Sequence, residues 1–81
     1  MSVRLYTTND CIECNFVKQA LDARGVPYEV RNVREDAQYQ EEVEALGYLG
    51  VPVMVYQGEA VKGMVPELEA LIEKAAADQA E

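Results

Sequence analysis

Apolar and polar positions along the chain fall into seven segments with two different periods. Val3 to Thr7 alternate, with Val, Leu and Tyr among five residues, and this predicts a short strand. From Ile12 the period lengthens. Phe16, Val17, Ala20 and Leu21 recur at one-, three- and four-residue spacing and outline the apolar face of a helix. Gly25 offers a left-handed C-terminal cap and Pro27 prevents continuation. Tyr28 to Val33 reads as a second strand, with Tyr28 and Val30 on one side. A second helix is predicted from about Asp36 to Leu46, lined by Tyr39, Val43 and Leu46 and stopped by Gly47. Val53 to Tyr56 is a buried strand, and Gln57 to Glu59 a hairpin turn into a brief strand near Ala60 and Val61. Pro66 suits the first position of a last helix, where its missing N–H would be unpaired anyway. Glu67 and Glu69 suit its positive end, and Leu68, Leu71, Ile72 and Ala75 its buried face.

The order is therefore βαβαββα, with no internal repeat, linker or low-complexity tract. The stretch from Ala75 to Glu81 is expected to fray. At 81 residues the chain reads as one domain over residues 1–81, near the size where a single core only just suffices. Hydrophobic residues make up 49% of it, enough to fill such a core. Fifteen acids against seven bases give a net charge of −8, which disfavours nucleic acid and anionic membrane surfaces. Most of these acids are expected on solvated helix faces. The first ten residues hold no apolar region suited to a signal peptide, and no segment approaches membrane-spanning length. A cytoplasmic location is the expectation, and closely spaced cysteines in a reducing compartment point to catalysis or metal binding.

Both cysteines lie in Tyr6 to Lys18, as Cys11-Ile12-Glu13-Cys14. A bond between them closes too short a loop to remove much entropy from the unfolded chain, so it is no main staple. A structural zinc site needs four ligands, and this chain has two cysteines and no histidine. Only a dimer that pools two pairs could hold zinc or an iron–sulfur cluster. Haem attachment would need His after Cys14, where Asn15 stands. Redox chemistry remains. Cys11 falls where the first strand ends and the first helix begins, so the helix N-terminus stabilises a thiolate there. Cys14 stands one turn on, further into the helix. Cys11 is thus the candidate nucleophile and Cys14 the resolving thiol.

Asp10 and Glu13 oppose the helix dipole beside the sulfur, and screening keeps both effects small. The Cys11 pKa is expected nearer ambient pH than that of a strongly activated thiol, which favours fast attack. Lys18 shares the helix side of both cysteines, either offsetting those acids or simply solvated.

Strand, helix, strand with Cys-x-x-Cys at the first junction is the thioredoxin-like arrangement. The fold class is α/β, thioredoxin-like. Its first two strands run parallel, and a final hairpin completes a four-stranded mixed sheet with helices on both faces.

The sequence as a whole resembles the glutaredoxin family, and within it the NrdH-type redoxins. Residues 6–14, Tyr-Thr-Thr-Asn-Asp-Cys-Ile-Glu-Cys, resemble the opening Tyr-Thr-x-x-x-Cys-x-x-Cys of those redoxins. Residues 20–30, from Ala20 to Val30, resemble their Ala-Leu-Asp-x-x-Gly-x-x-Tyr segment. Residues 45–53, Ala-Leu-Gly-Tyr-Leu-Gly-Val-Pro-Val, are similar to the segment that carries their cis proline. The resemblance implies a dithiol electron donor to class Ib ribonucleotide reductase, recharged by thioredoxin reductase, acting as a monomer with no cofactor beyond the Cys11–Cys14 disulfide. It also implies a cis Val51–Pro52 bond that turns the backbone of Val51 toward Cys11 to pair with a partner chain. In this fold the junction at Gly63, Met64 and Val65 lies beside the cysteine loop. Met64 and Val65 are either an apolar docking surface or ordinary helix-entry packing. Ile12 and Glu13, between the cysteines, complete the partner-facing set.

Two departures qualify the resemblance. Thr8 stands where glutaredoxins often have a Lys that serves glutathione, and Ile12-Glu13 replaces their Pro-Tyr. Val61, Met64 and Val65 replace the Trp, Phe and Arg usual before the last helix of NrdH-type redoxins, although Gly63 and Pro66 agree. A glutaredoxin- or mycoredoxin-type enzyme using a low-molecular-weight thiol is the alternative. A metal-binding dimer is the third reading.

Overall fold

The computed structural model of the chain describes residues 3–79. Its elements are β1 (Val3–Thr7), α1 (Ile12–Ala23), β2 (Tyr28–Asn32), α2 (Ala37–Ala45), β3 (Val53–Tyr56), β4 (Glu59–Lys62) and α3 (Pro66–Gln79). Short amphipathic segments fold this way because each buries one face only in company, and a sheet with helices on both sides supplies two cores. The strand order is β2-β1-β3-β4. β1 runs parallel to β2, and antiparallel pairing links β1 to β3 and β3 to β4. Gln57 and Gly58 both have positive φ, 50° and 81°, as a two-residue hairpin turn of the twist-compatible kind requires.

One core lies under α1 and α3. Val3 and Leu5 of β1 and Met54 and Tyr56 of β3 meet Val17 and Leu21 of α1 and Leu68, Leu71, Ile72 and Ala75 of α3. The other lies under α2, where Val43 packs with Tyr6, Val53 and Val55. All four predicted positions of the last helix are buried.

Helix ends follow local chemistry. The Asp36 carboxylate accepts the Gln38 N–H at 2.9 Å to cap α2, and Gly25 and Gly47 follow α1 and α2 at φ of 68° and 92°.

Three expectations need correction. Phe16 is half exposed rather than buried. Cys14, Val17 and Leu21 set the inward direction of α1, and Phe16 is turned about 100° from Val17. Val30 shares a strand face with Tyr28, as expected, and is half exposed on the edge strand β2. Leu46 caps α2 and stands partly in solvent, leaving Val43 as the buried residue of that helix. The expected fraying from Ala75 onward does not occur over the described part. α3 runs to Gln79, Ala75 is fully buried, and the Tyr56 hydroxyl donates to Asp78 at 2.6 Å. Ala80 and Glu81 lie outside the described residues.

Candidate active site

β1 ends at Thr7, which is buried and whose carbonyl accepts the Val33 N–H at 2.9 Å. The chain then turns through Asn9 and Asp10. Asn32 donates its side-chain amide to Asn9 at 2.8 Å, tying this turn to the end of β2. Asp10 adopts a φ of 56°, a left-handed conformation that Asp tolerates better than most residues. This turn delivers Cys11 to the N-cap of α1.

Cys11 and Cys14 are joined as a disulfide, with their α-carbons 5.2 Å apart. The Cys14 N–H donates to Cys11 Sγ at 3.1 Å, so a sulfur does the capping work usually given to a Ser or Asp oxygen. The two sulfurs are unequal in access. Cys14 is 1% exposed, whereas Cys11 is only partly covered. Ile12 projects from between them with 72% of its surface exposed, and Phe16 stands one turn further along the same helix side.

The cis Val51–Pro52 bond lies at the start of β3. Tyr6 pairs with Val53, so the end of β1 and the start of β3 are neighbours. Pro52 is buried, and Val51 packs half-buried against the core under α2. The Gly63 N–H donates to the Pro52 carbonyl at 2.9 Å, which joins the end of β4 to the proline loop. A β-carbon on Gly63 would stand 3.9 Å from Glu13 Oε2, so the start of α1 meets the same junction. Glu13, Gly63 and Pro52 thus come together. Met64 and Val65 follow directly, 45% and 37% exposed, and line a shallow hollow of about 250 Å³ with Pro66 and Glu69. A larger hollow of about 470 Å³ lies between β4 and α3 and includes neither cysteine.

One exposed residue at this end escapes the sequence pattern. Leu49, between α2 and the proline loop, is 87% exposed. It belongs to no helical or strand period, so its only signal is an apolar residue in a glycine-flanked loop.

The sequence pattern also misses a polar network on the α2 side. The Tyr6 hydroxyl donates to Glu42 Oε1 at 2.6 Å, and Arg31 donates to the same oxygen at 2.7 Å. Arg31 also forks onto Glu29 at 2.9 and 3.3 Å, and its guanidinium lies 5.5 Å from the Tyr39 ring centre. The Tyr6 hydrogen bond and then Arg31 hold the Glu42 carboxyl below its usual range, while burial and the Glu42 contact raise Tyr6 above 10.0. Residues from β1, β2 and α2 meet here, so the network seats the helix whose far end feeds the proline loop.

The family model for glutaredoxin matches residues 3–61. The chain belongs to the glutaredoxin family. Among relatives of this glutaredoxin-family chain, the glutaredoxin-like protein NrdH of Escherichia coli K12 is 31% identical over 68 residues, 84% of each protein. NrdH of Lactococcus lactis IL1403 is 28% identical over 64 residues, 79% of this chain and 89% of that one. The solved NrdH-redoxin of Escherichia coli, described as glutaredoxin-like with a thioredoxin-like activity profile, superposes with a TM-score of 0.80 at 30% identity. That match covers 91% of this chain and 93% of the other. The thioredoxin-like protein BC3987 superposes at 0.79 with 29% identity, covering 88% and 99%. The thioredoxin-like fold with a mixed sheet follows, and the Cys11–Cys14 pair makes this glutaredoxin-family chain a thiol–disulfide oxidoreductase. Among the described residues no helix is long and apolar enough to cross a membrane.

Proposed function

We propose that the protein is a dithiol redoxin that reduces protein disulfides in the cytoplasm. In this reading it is the electron donor to class Ib ribonucleotide reductase, recharged by thioredoxin reductase. It works as a monomer and needs no cofactor beyond its own cysteine pair. The observation that carries the reading is the unequal pair at the N-terminus of α1, with Cys11 reachable and Cys14 buried behind it.

Reduced Cys11 attacks as the thiolate, supported by the Cys14 N–H that already points at its sulfur. Attack on a partner disulfide forms a mixed disulfide and releases one partner thiolate. Cys14 then gives up its proton and attacks Cys11 Sγ, closing the internal disulfide and releasing the second partner thiolate. Two electrons pass to the partner, and its two sulfurs take up two protons. Thioredoxin reductase returns the electrons from NADPH. The exposed Glu13 carboxylate and the Val51 backbone offer the partner its polar contacts, beside the paired Pro52 and Gly63, with Ile12, Met64 and Val65 as the apolar ones.

The relatives named NrdH favour a protein reductant over a small-thiol enzyme, and so does Thr8 at the position where glutaredoxins often carry Lys. The test is NADPH oxidation with a disulfide substrate, coupled either through thioredoxin reductase or through glutathione or mycothiol with its own reductase. Turnover with thioredoxin reductase is expected. Turnover with the small thiol alone would replace this reading by the glutaredoxin- or mycoredoxin-type one. Purified protein is expected colourless, metal-free and monomeric; bound metal in a dimer would instead favour the metal-binding reading.

A further inference from the structure

Four of the seven basic residues make no salt bridge among the described residues: Arg4, Lys18, Arg34 and Lys62. Lys62 differs from the others in what its side chain lies over. It ends β4, immediately before the glycine whose N–H holds the Pro52 carbonyl. Its Cε lies 3.3 Å, and its Nζ 3.9 Å, from the point where a β-carbon on Gly50 would stand. The lysine stem therefore runs over bare backbone two residues before Pro52, in space that any larger residue at position 50 would crowd. Lys62 shares its strand face with Ala60, which packs on the α2 side of the sheet. Glu13 meets Gly63 with its carboxylate, so the proline loop is flanked by one cation and one anion.

We propose that Lys62 is a specificity-determining residue, selecting partner segments that carry an Asp or Glu side chain next to their disulfide. The inference rests on the disulfide-reductase reading above and narrows its substrate class. The stem lies against the Gly50 backbone, which brings the ammonium to the proline loop that a partner chain would meet. Leu49, which precedes Gly50 in the chain, is exposed, as are Ile12 between the cysteines and Met64 after Gly63, so the same end of the molecule also offers apolar contacts. The net charge of −8 does not forbid an acidic segment at physiological salt, where charges more than about 8–10 Å away are largely screened and Glu13 and Asp10 are the acids left near the junction.

The test uses the full reduced chain, freed of reductant, and two disulfide-closed peptides with blocked termini. They differ only in the residue beside the first cysteine, Glu in one and Gln in the other. The Glu peptide is expected to be reduced about two- to fivefold faster at about 0.1 M ionic strength, the range of an exposed ion pair with the chain's distant acids largely screened. The ratio should approach one at high salt. Lys62→Met keeps the stem and should abolish the preference, and Lys62→Glu should invert it. Lys74→Glu, an equal change in net charge on α3, should leave it intact. Equal rates for both peptides, or a preference that survives Lys62→Met, would overturn the proposal alone. Reduction of neither peptide would overturn the reductase reading, and this inference with it.

Discussion

Cys11 caps the helix that carries Cys14, accepting the Cys14 N–H at 3.1 Å. The same atom that is placed to react is also a structural acceptor, which separates two effects of its replacement. Cys11→Ser and Cys11→Ala should both lose all disulfide-reductase activity. In urea, however, Cys11→Ala should unfold about 0.5–2 kcal/mol more easily than Cys11→Ser, since serine can still cap. Equal stabilities would show that the sulfur contributes nothing as a cap. Cys14→Ser should keep the attacking thiol and accumulate a mixed disulfide with substrate, visible by mass on a non-reducing gel.

Gly63 holds a φ of 79° where β4 meets the proline loop. A β-carbon there would only touch Glu13 at 3.9 Å, so the penalty for Gly63→Ala is one of backbone conformation rather than of space. It should destabilise the chain by about 1–2 kcal/mol in urea. Asparagine, which tolerates left-handed φ, should cost less. If alanine and asparagine prove equal to glycine, the left-handed turn does not control this junction.

Val43 is the buried residue of α2, fully inaccessible, and its carbonyl accepts the Tyr48 N–H at 3.2 Å. Val43→Ala should lower unfolding free energy by about 1–3 kcal/mol. Because α2 leads into the loop from Gly47 to Pro52, hydrogen-exchange protection at Tyr48 should fall more than protection within β1.

Glu42 gives the acid side of the stability profile. Its folded pKa is lowered from 4.5, first by the Tyr6 hydroxyl, so its contribution is present above that value and lost as pH falls through the folded pKa. The stability difference between the native chain and Glu42→Gln should be positive at pH 7 and shrink steadily below about pH 4.5. Tyr6 acts at the opposite end. Its folded pKa is raised above 10.0, chiefly by burial, so its contribution is full below that value and lost as pH climbs through the folded pKa. Urea midpoints across pH 3–11 for the native chain, Glu42→Gln and Tyr6→Phe would check both arms. A pH-independent difference for Glu42→Gln would rule out the carboxylate as its source.

Seven elements in their order were legible along the chain, because strand and helix periods, Gly47, Pro27 and Pro66 act within a few residues of themselves. The two cysteines at a strand–helix junction were legible for the same reason. What the tertiary structure decided involves residues far apart in the chain. Phe16 and Leu46 fit an apolar stripe in one dimension, but only the packed positions of Val17 and Val43 show which side faces inward. Glu42 looks like any other surface acid until β1 and β2 bring Tyr6 and Arg31, 36 and 11 residues away, to the same oxygen. The tail of α3 holds because Tyr56 reaches Asp78 across 22 positions. Lys62 gains its place over Gly50 only once β4 pairs with β3. Local backbone preference determined what each segment is. Which side chains share a face, and which charges meet, depends on sheet order and helix rotation, and those are set by the whole core at once.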